Sequence, residues 1–143
     1  MLSVVIPTQN EAAVIGARLD EIEASLSVNE IIVADGGSVD GTQAIVERRG
    51  VRLIEGFSGR GGQLAAGARA ATGNWLLFLH ADTKLGPGWS TEIMKFVDEP
   101  ENRFRAGYFR FALDDIQPAA RRLEQIVHWR CQLLNLPYGD QGL

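Results

Sequence analysis

Apolar residues recur along the chain with two alternating periods. Residues 2–7 form a short β-branched run fit for a buried strand, ended by Pro7. Ile15, Leu19, Ile22 and Leu26 then recur at helical spacing. They predict an amphipathic helix from about Glu11, with Asn10 placed to cap it and Glu11 favourable in its first turn. Residues 30–35 read as a second strand built on Ile31, Ile32 and Val33. Asp40 and Gln43 have capping-box spacing and open a helix that Gly50 closes. A third strand is expected over 51–55 and a glycine-rich loop over 56–62. A helix rich in alanine and glycine follows through Thr72, with Gly73 as its stop signal. Its small residues let a helix pack close against a sheet. Residues 75–80 are apolar almost throughout, as in a strand covered on both faces. Pro87 suits the first position of another helix. Residues 104–113 alternate aromatic and polar, predicting a longer strand with one wetter face. Residues 118–134 are the last clear helix, and 136–143 a closing loop.

Strand–helix repeats of this length predict βαβ units, hence an α/β fold: a three-layer α/β/α sandwich around a mainly parallel sheet. Neither repeat nor linker interrupts it, so residues 1–143 read as one domain. In such sheets ligands bind beyond the carboxyl ends of the strands. The polar residues that need explaining lie there: Thr8, Asn10 and Glu11 after the first strand, Asp35 after the second, His80 and Asp82 after the fourth.

Composition narrows the classes. At 143 residues, 45% hydrophobic and 22% charged, the chain is an ordinary globular domain. Its 16 glycines are in excess and cluster between apolar runs, as functional loops would. The longest apolar run, 75–79, is far short of a membrane span. No basic region followed by an apolar stretch opens the chain, so no secretory leader is expected. One cysteine, Cys131, forms no internal disulfide and suits a reducing, cytoplasmic setting. A net charge of -4 argues against nucleic acid. The local cluster Arg103, Arg105, Arg110, Arg121, Arg122 and Arg130 reads as a solvated mixed face. It leaves open an anion or peripheral membrane contact, at the inner face of the membrane.

Four loops carry candidate chemistry. In His80-Ala81-Asp82-Thr83 the imidazole and carboxylate are two residues apart at a strand end, on one side, and can share one ion. Mg²⁺ held by one or two protein groups with a diphosphate completing its shell is one use of such a pair, and an imidazole favours Mn²⁺. Asp82 as a simple turn cap is the alternative, and its position after a buried strand favours the metal. Asp35 precedes Gly36-Gly37-Ser38, where a carboxylate can accept from a base or ribose while glycines let a ligand approach the backbone; an Asx-type turn is the alternative. The stretch 56–63, with Arg60 and Gln63, leads into a helix N-terminus suited to an anion, and no Walker lysine accompanies it. Near the end, Asp140 sits in a glycine-flanked loop as a competent general base or an ordinary turn residue.

Taken together, VVIPTQNE (4–11), IIVADGGSVDGT (31–42), GRGGQLAAGARAATGNWLLFLHADT (59–83) and YGDQGL (138–143) resemble the inverting family 2 glycosyltransferases of GT-A, Rossmann-like fold. The resemblance is nearest to a small bacterial subgroup with L-H-A-D-T in place of D-x-D, the radical-SAM/selenodomain-associated type. It implies a nucleoside-diphosphate sugar donor of UDP or GDP type, a divalent cation (Mn²⁺ or Mg²⁺), and sugar transfer to an acceptor hydroxyl. Pro7, Thr8, Asn10 and Glu11 would line the nucleoside pocket. Asp35 would hold base or ribose, with Gly36, Arg60, Gln63 and Ala81 completing the nucleotide-sugar contacts. Asp82 would bind the metal, with His80 in the place of the first D-x-D carboxylate, and Asp140 would be the catalytic base. Family members usually continue past this point, so the acceptor-side part is expected to be missing after Leu143. The rival from another class is a nucleotide-binding module without turnover.

Overall fold

The computed structural model describes residues 1–57, 59–113 and 115–134. Four strands, β1 (Leu2–Thr8), β2 (Glu30–Asp35), β3 (Arg52–Glu55) and β4 (Trp75–Phe78), pair in parallel in the order β3-β2-β1-β4. Between and after them run α1 (Ile15–Glu23), α2 (Thr42–Arg48), α3 (Gly59–Ala70), α4 (Trp89–Asp98) and α5 (Pro118–Leu134), with a 3₁₀ turn at Pro100–Phe104. Parallel crossovers are right-handed. The two steps β1 to β2 to β3 run in one direction and put α1 and α2 on one face. The return from β3 to β4 runs the other way and puts α3 on the opposite face. The expected layered, parallel α/β architecture is what forms.

Alternation along β1 divides the core between these layers. Leu2, Val4 and Ile6 cluster with Ile15, Leu19 and Ile22 of α1 and Val46 of α2. Val5 points the other way, to α3, where a Cβ placed on Gly67 would lie only 2.2 Å from Val5 Cγ1. Glycine at 67 is thus what seats α3 on the sheet. The register sets Pro7 beside Ala34 and Thr8 beside Asp35, so the carboxyl ends of β1 and β2 emerge together. Strand order reverses between β1 and β4, and the crevice at that reversal is where open parallel sheets bind ligands.

Several local expectations are corrected. The first helix starts at Ile15, not Glu11, because residues 11–14 form a turn in which Glu11 O accepts from Val14 and Ile15 N–H. Asn10 does not cap it; at φ 59° it takes the left-handed conformation that asparagine tolerates. Leu26 lies beyond α1 and is fully exposed. Asp40 and Gln43 close no capping box: Asp40 accepts from Thr42, while Gln43 turns to Asp35. The glycine-rich helix begins at Gly59, inside the expected loop, and ends at Ala70; β4 ends at Phe78. The expected strand over 104–113 is absent. Residues 105–109 instead line, together with Trp75–Phe78 of β4, a cavity of about 380 Å³, and no strand pairing joins the two. Its alternation still sorts the faces: Gly107, Phe109, Phe111 and Leu113 are half-buried, whereas Ala106, Tyr108, Arg110 and Ala112 are exposed. The expected loop over 136–143 falls outside the described residues.

Candidate active site

Two loops leave the sheet at the carboxyl ends of β1 and β2, and they are laced together. Asn10 N–H donates to Ser38 Oγ (2.8 Å), and Asn10 Oδ1 accepts from Val39 N–H (2.9 Å). Glu11 N–H donates to Thr42 Oγ1 (2.9 Å), and Ala12 N–H to Asp40 Oδ2 (2.9 Å). Gly36 N–H donates to Thr8 O (2.9 Å), extending the β1–β2 pairing by one step. The left-handed turn at Asn10 makes this lacing possible, because it aims both the backbone N–H and the side chain at the neighbouring loop.

Asp35 anchors the lacing from below. Its side chain is fully buried, and both carboxylate oxygens are taken by the protein. Oδ1 accepts from Thr8 Oγ1 (2.9 Å) and Ser38 Oγ (2.5 Å); Oδ2 accepts from Gly37 N–H (2.9 Å), Ser38 N–H (2.7 Å) and Gln43 Nε2 (2.8 Å). Burial works against its ionisation. The bonds from Ser38, Gln43 and Thr8 outweigh that and hold its pKa below the usual carboxylate value. A carboxylate offers about four lone-pair positions, so five donors leave no vacancy for a base or ribose. The contact expected of Asp35 is therefore spent on the loop that follows it. Gln63 behaves similarly: buried, it donates from Nε2 to Thr8 O (2.7 Å) and Ala34 O (2.9 Å), tying α3 to both strand ends. Gly36 makes room for it, since a Cβ there would come within 2.9 Å of Gln63 Nε2. Pro7 and Ala81 are also buried.

Arg60, His80 and Asp82 gather elsewhere, around a cavity of about 870 Å³ whose walls also include Lys84, Trp89, Glu92 and Arg110. His80 Nδ1 lies 3.2 Å from Asp82 Oδ1, as expected of i and i+2 positions beyond a strand. Three cationic side chains on the walls suit a polyanion. Among the described residues no group of three or more His, Cys, Asp or Glu side chains could hold a metal; what they offer an ion here is this pair. Beneath the pair lies Arg18, a buried arginine on α1. Its Nε donates to Ala81 O (3.4 Å) and its guanidinium pairs with Glu21. Burial lowers its pKa, and the charge of Asp82 pulls the other way. Thus Arg60, His80 and Asp82 come together, whereas Thr8, Asp35 and Gln63 form the buried support, with half-buried Gly36 above Gln63, and Asn10 and Glu11 the laced loops. Asp140 lies outside the described residues.

Arg18, Lys84 and Arg110 were not singled out for the site by sequence. Arg18 carried a visible signal, a charge on the apolar stripe of Ile15, Leu19 and Ile22. Lys84 carried none beyond charge, and Arg110 only its place in the arginine cluster that left an anion contact open.

The sequence profile described as Glycosyl transferase family 2 matches residues 3–136. The chain belongs to glycosyl transferase family 2. Among curated relatives, this family 2 domain is similar to the PGL/p-HBAD biosynthesis glycosyltransferase of Mycobacterium bovis, with 41% identity over 93 residues, covering 59% of the chain and 36% of the relative. Among solved structures it is similar to glucosyl-3-phosphoglycerate synthase from Mycobacterium tuberculosis in complex with Mn²⁺, UDP-glucose and phosphoglyceric acid. The identity is 30% and the TM-score 0.53, over 57% of the chain and 33% of that protein. Mannosyl-3-phosphoglycerate synthase from Rubrobacter xylanophilus shares the fold at a TM-score of 0.62 and 24% identity, over 70% of the chain and 37% of that protein. The family 2 domain thus spans about a third of the length of these relatives.

Proposed function

We propose that this family 2 domain is the donor-binding part of an enzyme that moves a sugar from a nucleoside-diphosphate sugar to an acceptor hydroxyl, with inversion and with help from Mn²⁺ or Mg²⁺. One observation carries the reading: His80 and Asp82 stand side by side in a cavity that also presents Arg60, Lys84 and Arg110, at the carboxyl edge of a parallel sheet. An imidazole nitrogen and a carboxylate oxygen 3.2 Å apart fit a single divalent ion whose remaining positions a diphosphate fills. Such an ion, when bound, offsets the charge that grows on the leaving diphosphate.

The chain's own residues do the rest. Arg60, Lys84 and Arg110 hold the donor's phosphates electrostatically. Asp35 acts through its loop: by fixing residues 36–38 it shapes the floor on which the nucleoside rests, beside Thr8, Asn10 and Glu11. Asp140 takes the acceptor proton, so that the hydroxyl attacks the anomeric carbon on the face opposite the nucleotide. The donor is of UDP or GDP type; the UDP-glucose and Mn²⁺ held by the mycobacterial synthase support the class. Cytoplasmic operation belongs to the same proposal, since one buried cysteine needs no oxidising compartment.

Calorimetry with UDP and GDP, with and without Mn²⁺, tests this. The metal should tighten binding of one nucleotide, and Asp82→Ala should cancel that gain while leaving the metal-free affinity nearly unchanged. Absence of saturable nucleotide binding, or a metal effect that survives Asp82→Ala, would refute the assignment.

A further inference from the structure

The segment that carries His80 and Asp82 begins where the sheet stops holding it. Pairing of β1 with β4 ends at Val5 beside Phe78, and its last bond runs from Leu79 N–H to Val5 O (3.0 Å). In a parallel ladder every second residue of a strand bonds toward the same neighbour. After Val5 that residue is Pro7, which has no N–H to give. Thus β1 runs on beside β2 as far as Thr8, while residues 80–82 leave the sheet. Alternation still orders their side chains. Leu79 and Ala81 enter the core, and His80 and Asp82 turn the other way, into the cavity.

From the core side, α1 offers Arg18. It lies among Ile15, Leu19 and Ile22, all fully buried, and is itself only 5% exposed. A guanidinium there bears a desolvation cost that a surface position would spare it, and burial lowers its pKa accordingly. The ion pair with Glu21 does not account for that cost. Glu21 is half-buried and lies one turn along the same helix, where an arginine in water could reach it as well. What the interior gives Arg18 is Ala81 O, which accepts from its Nε (3.4 Å) midway between the two site residues. Glu21 then pins the far end of the guanidinium.

We propose that Arg18 is a positioning residue: its Nε–H anchors the segment past the point where Pro7 ends the ladder, and by holding the Ala81 carbonyl it keeps His80 and Asp82 side by side. The consequence for metal rests on the sugar-transfer reading, whereas the positioning itself does not. Partners that orient a metal's ligands typically govern its affinity by tenfold or more.

Side chains of equal reach separate donor from charge. Counted outward from the backbone, glutamine Nε2 and methionine Cε stand at the position of arginine Nε. Arg18→Gln therefore keeps a donor without the charge, Arg18→Met keeps neither, and Arg18→Lys keeps the charge one atom further out. Amide dipolar couplings of the weakly aligned, ligand-free protein read the orientation of residues 80–83, recorded on the whole polypeptide that carries this domain. Those couplings should depart from wild type in Arg18→Met and Arg18→Lys, with the sheet unchanged, and return in Arg18→Gln. In calorimetry with UDP and GDP, the tightening that Mn²⁺ brings should fall about tenfold or more in Arg18→Met and largely recover in Arg18→Gln. The proposal is overturned by wild-type couplings over 80–83 in Arg18→Met, or by couplings in Arg18→Gln that depart as far. Departures that spread through α1 and the sheet, or a Mn²⁺ effect untouched in Arg18→Met, would overturn it too. Should Arg18→Met fail to fold, Arg18→Gln against Arg18→Lys decides, and matching couplings in the two sink the proposal. A wild type whose nucleotide binding ignores Mn²⁺ would instead refute the sugar-transfer reading, and the couplings alone would then decide the positioning.

Discussion

Removing Asp35 in two ways separates its charge from its shape. In Asp35→Ala all five donors lose their acceptor. Gln43 and Ser38 are half-buried and can turn to water, but the Thr8 hydroxyl is buried beneath the loop and the amides of Gly37 and Ser38 were aimed at Oδ2. Two or three stranded donors at about 1–3 kcal/mol each give a loss of roughly 3–5 kcal/mol. Asp35→Asn should cost much less. Its amide NH₂ fits at Oδ1, where the partners are hydroxyls that can rotate to accept, and its carbonyl oxygen keeps the three N–H donors at Oδ2. What it loses is charge assistance, about 1–2 kcal/mol. The pH dependence has a definite sign. The folded pKa of Asp35 is depressed, so its charge stabilises the fold above the unfolded value near ~3.9 and ceases to do so as pH falls through the folded value. Urea denaturation from about pH 7 to about pH 3 should therefore show the gap between wild type and Asp35→Asn widest above about pH 5 and closing in acid. An Asp35→Ala chain within about 1 kcal/mol of wild type, or a gap that stays flat in acid, would refute the scaffold role argued for this carboxylate.

Other substitutions probe neighbouring parts of the design. Gly67→Ala drives a methyl into Val5 and should cost about 1–3 kcal/mol in a urea melt, part of it recovered when Val5→Ala is added. Gln63→Glu sets a carboxylate against the carbonyl oxygens of Thr8 and Ala34. Destabilisation of about 3–5 kcal/mol is expected near neutral pH, relieved in acid as the new carboxyl protonates, and denaturation at several pH values reads it directly. Asp140→Asn should keep nucleotide affinity while lowering transfer at least ~10²-fold, measured on a polypeptide with demonstrable turnover.

The sheet was legible because its signal is local and redundant. Ile31, Ile32 and Val33, or Trp75 to Phe78, are short apolar runs bounded by turn signals and read as strand, and right-handed crossovers fix their arrangement with little further information. What stayed hidden depends on partners distant in sequence. Gln43 has the spacing of a capping residue, yet its amide is worth more on the buried carboxylate of Asp35 than at a solvated helix end. Asn10 caps nothing because Val39 and Ser38 compete for its polar groups. The alternation over 104–113 revealed which side chains turn inward, but a ladder also needs backbone pairing with a neighbouring edge, and this segment makes none with β4. In the site, His80 and Asp82 could be paired from spacing alone. The occupation of Asp35 by five protein donors could not, since three of those donors come from side chains whose rotamers no pattern specifies.

The lacing between the first two loops ties their lengths together. One residue inserted into either would slide its amides past their acceptors by about 3.3–3.8 Å, parting Asn10 from Ser38, Glu11 from Thr42 and Ala12 from Asp40 at a single stroke. An inserted residue should be tolerated far better on the opposite rim, residues 84–88 and 105–113, where few backbone bonds cross. Any retuning of what this cavity admits should be sought on that rim rather than in the laced floor.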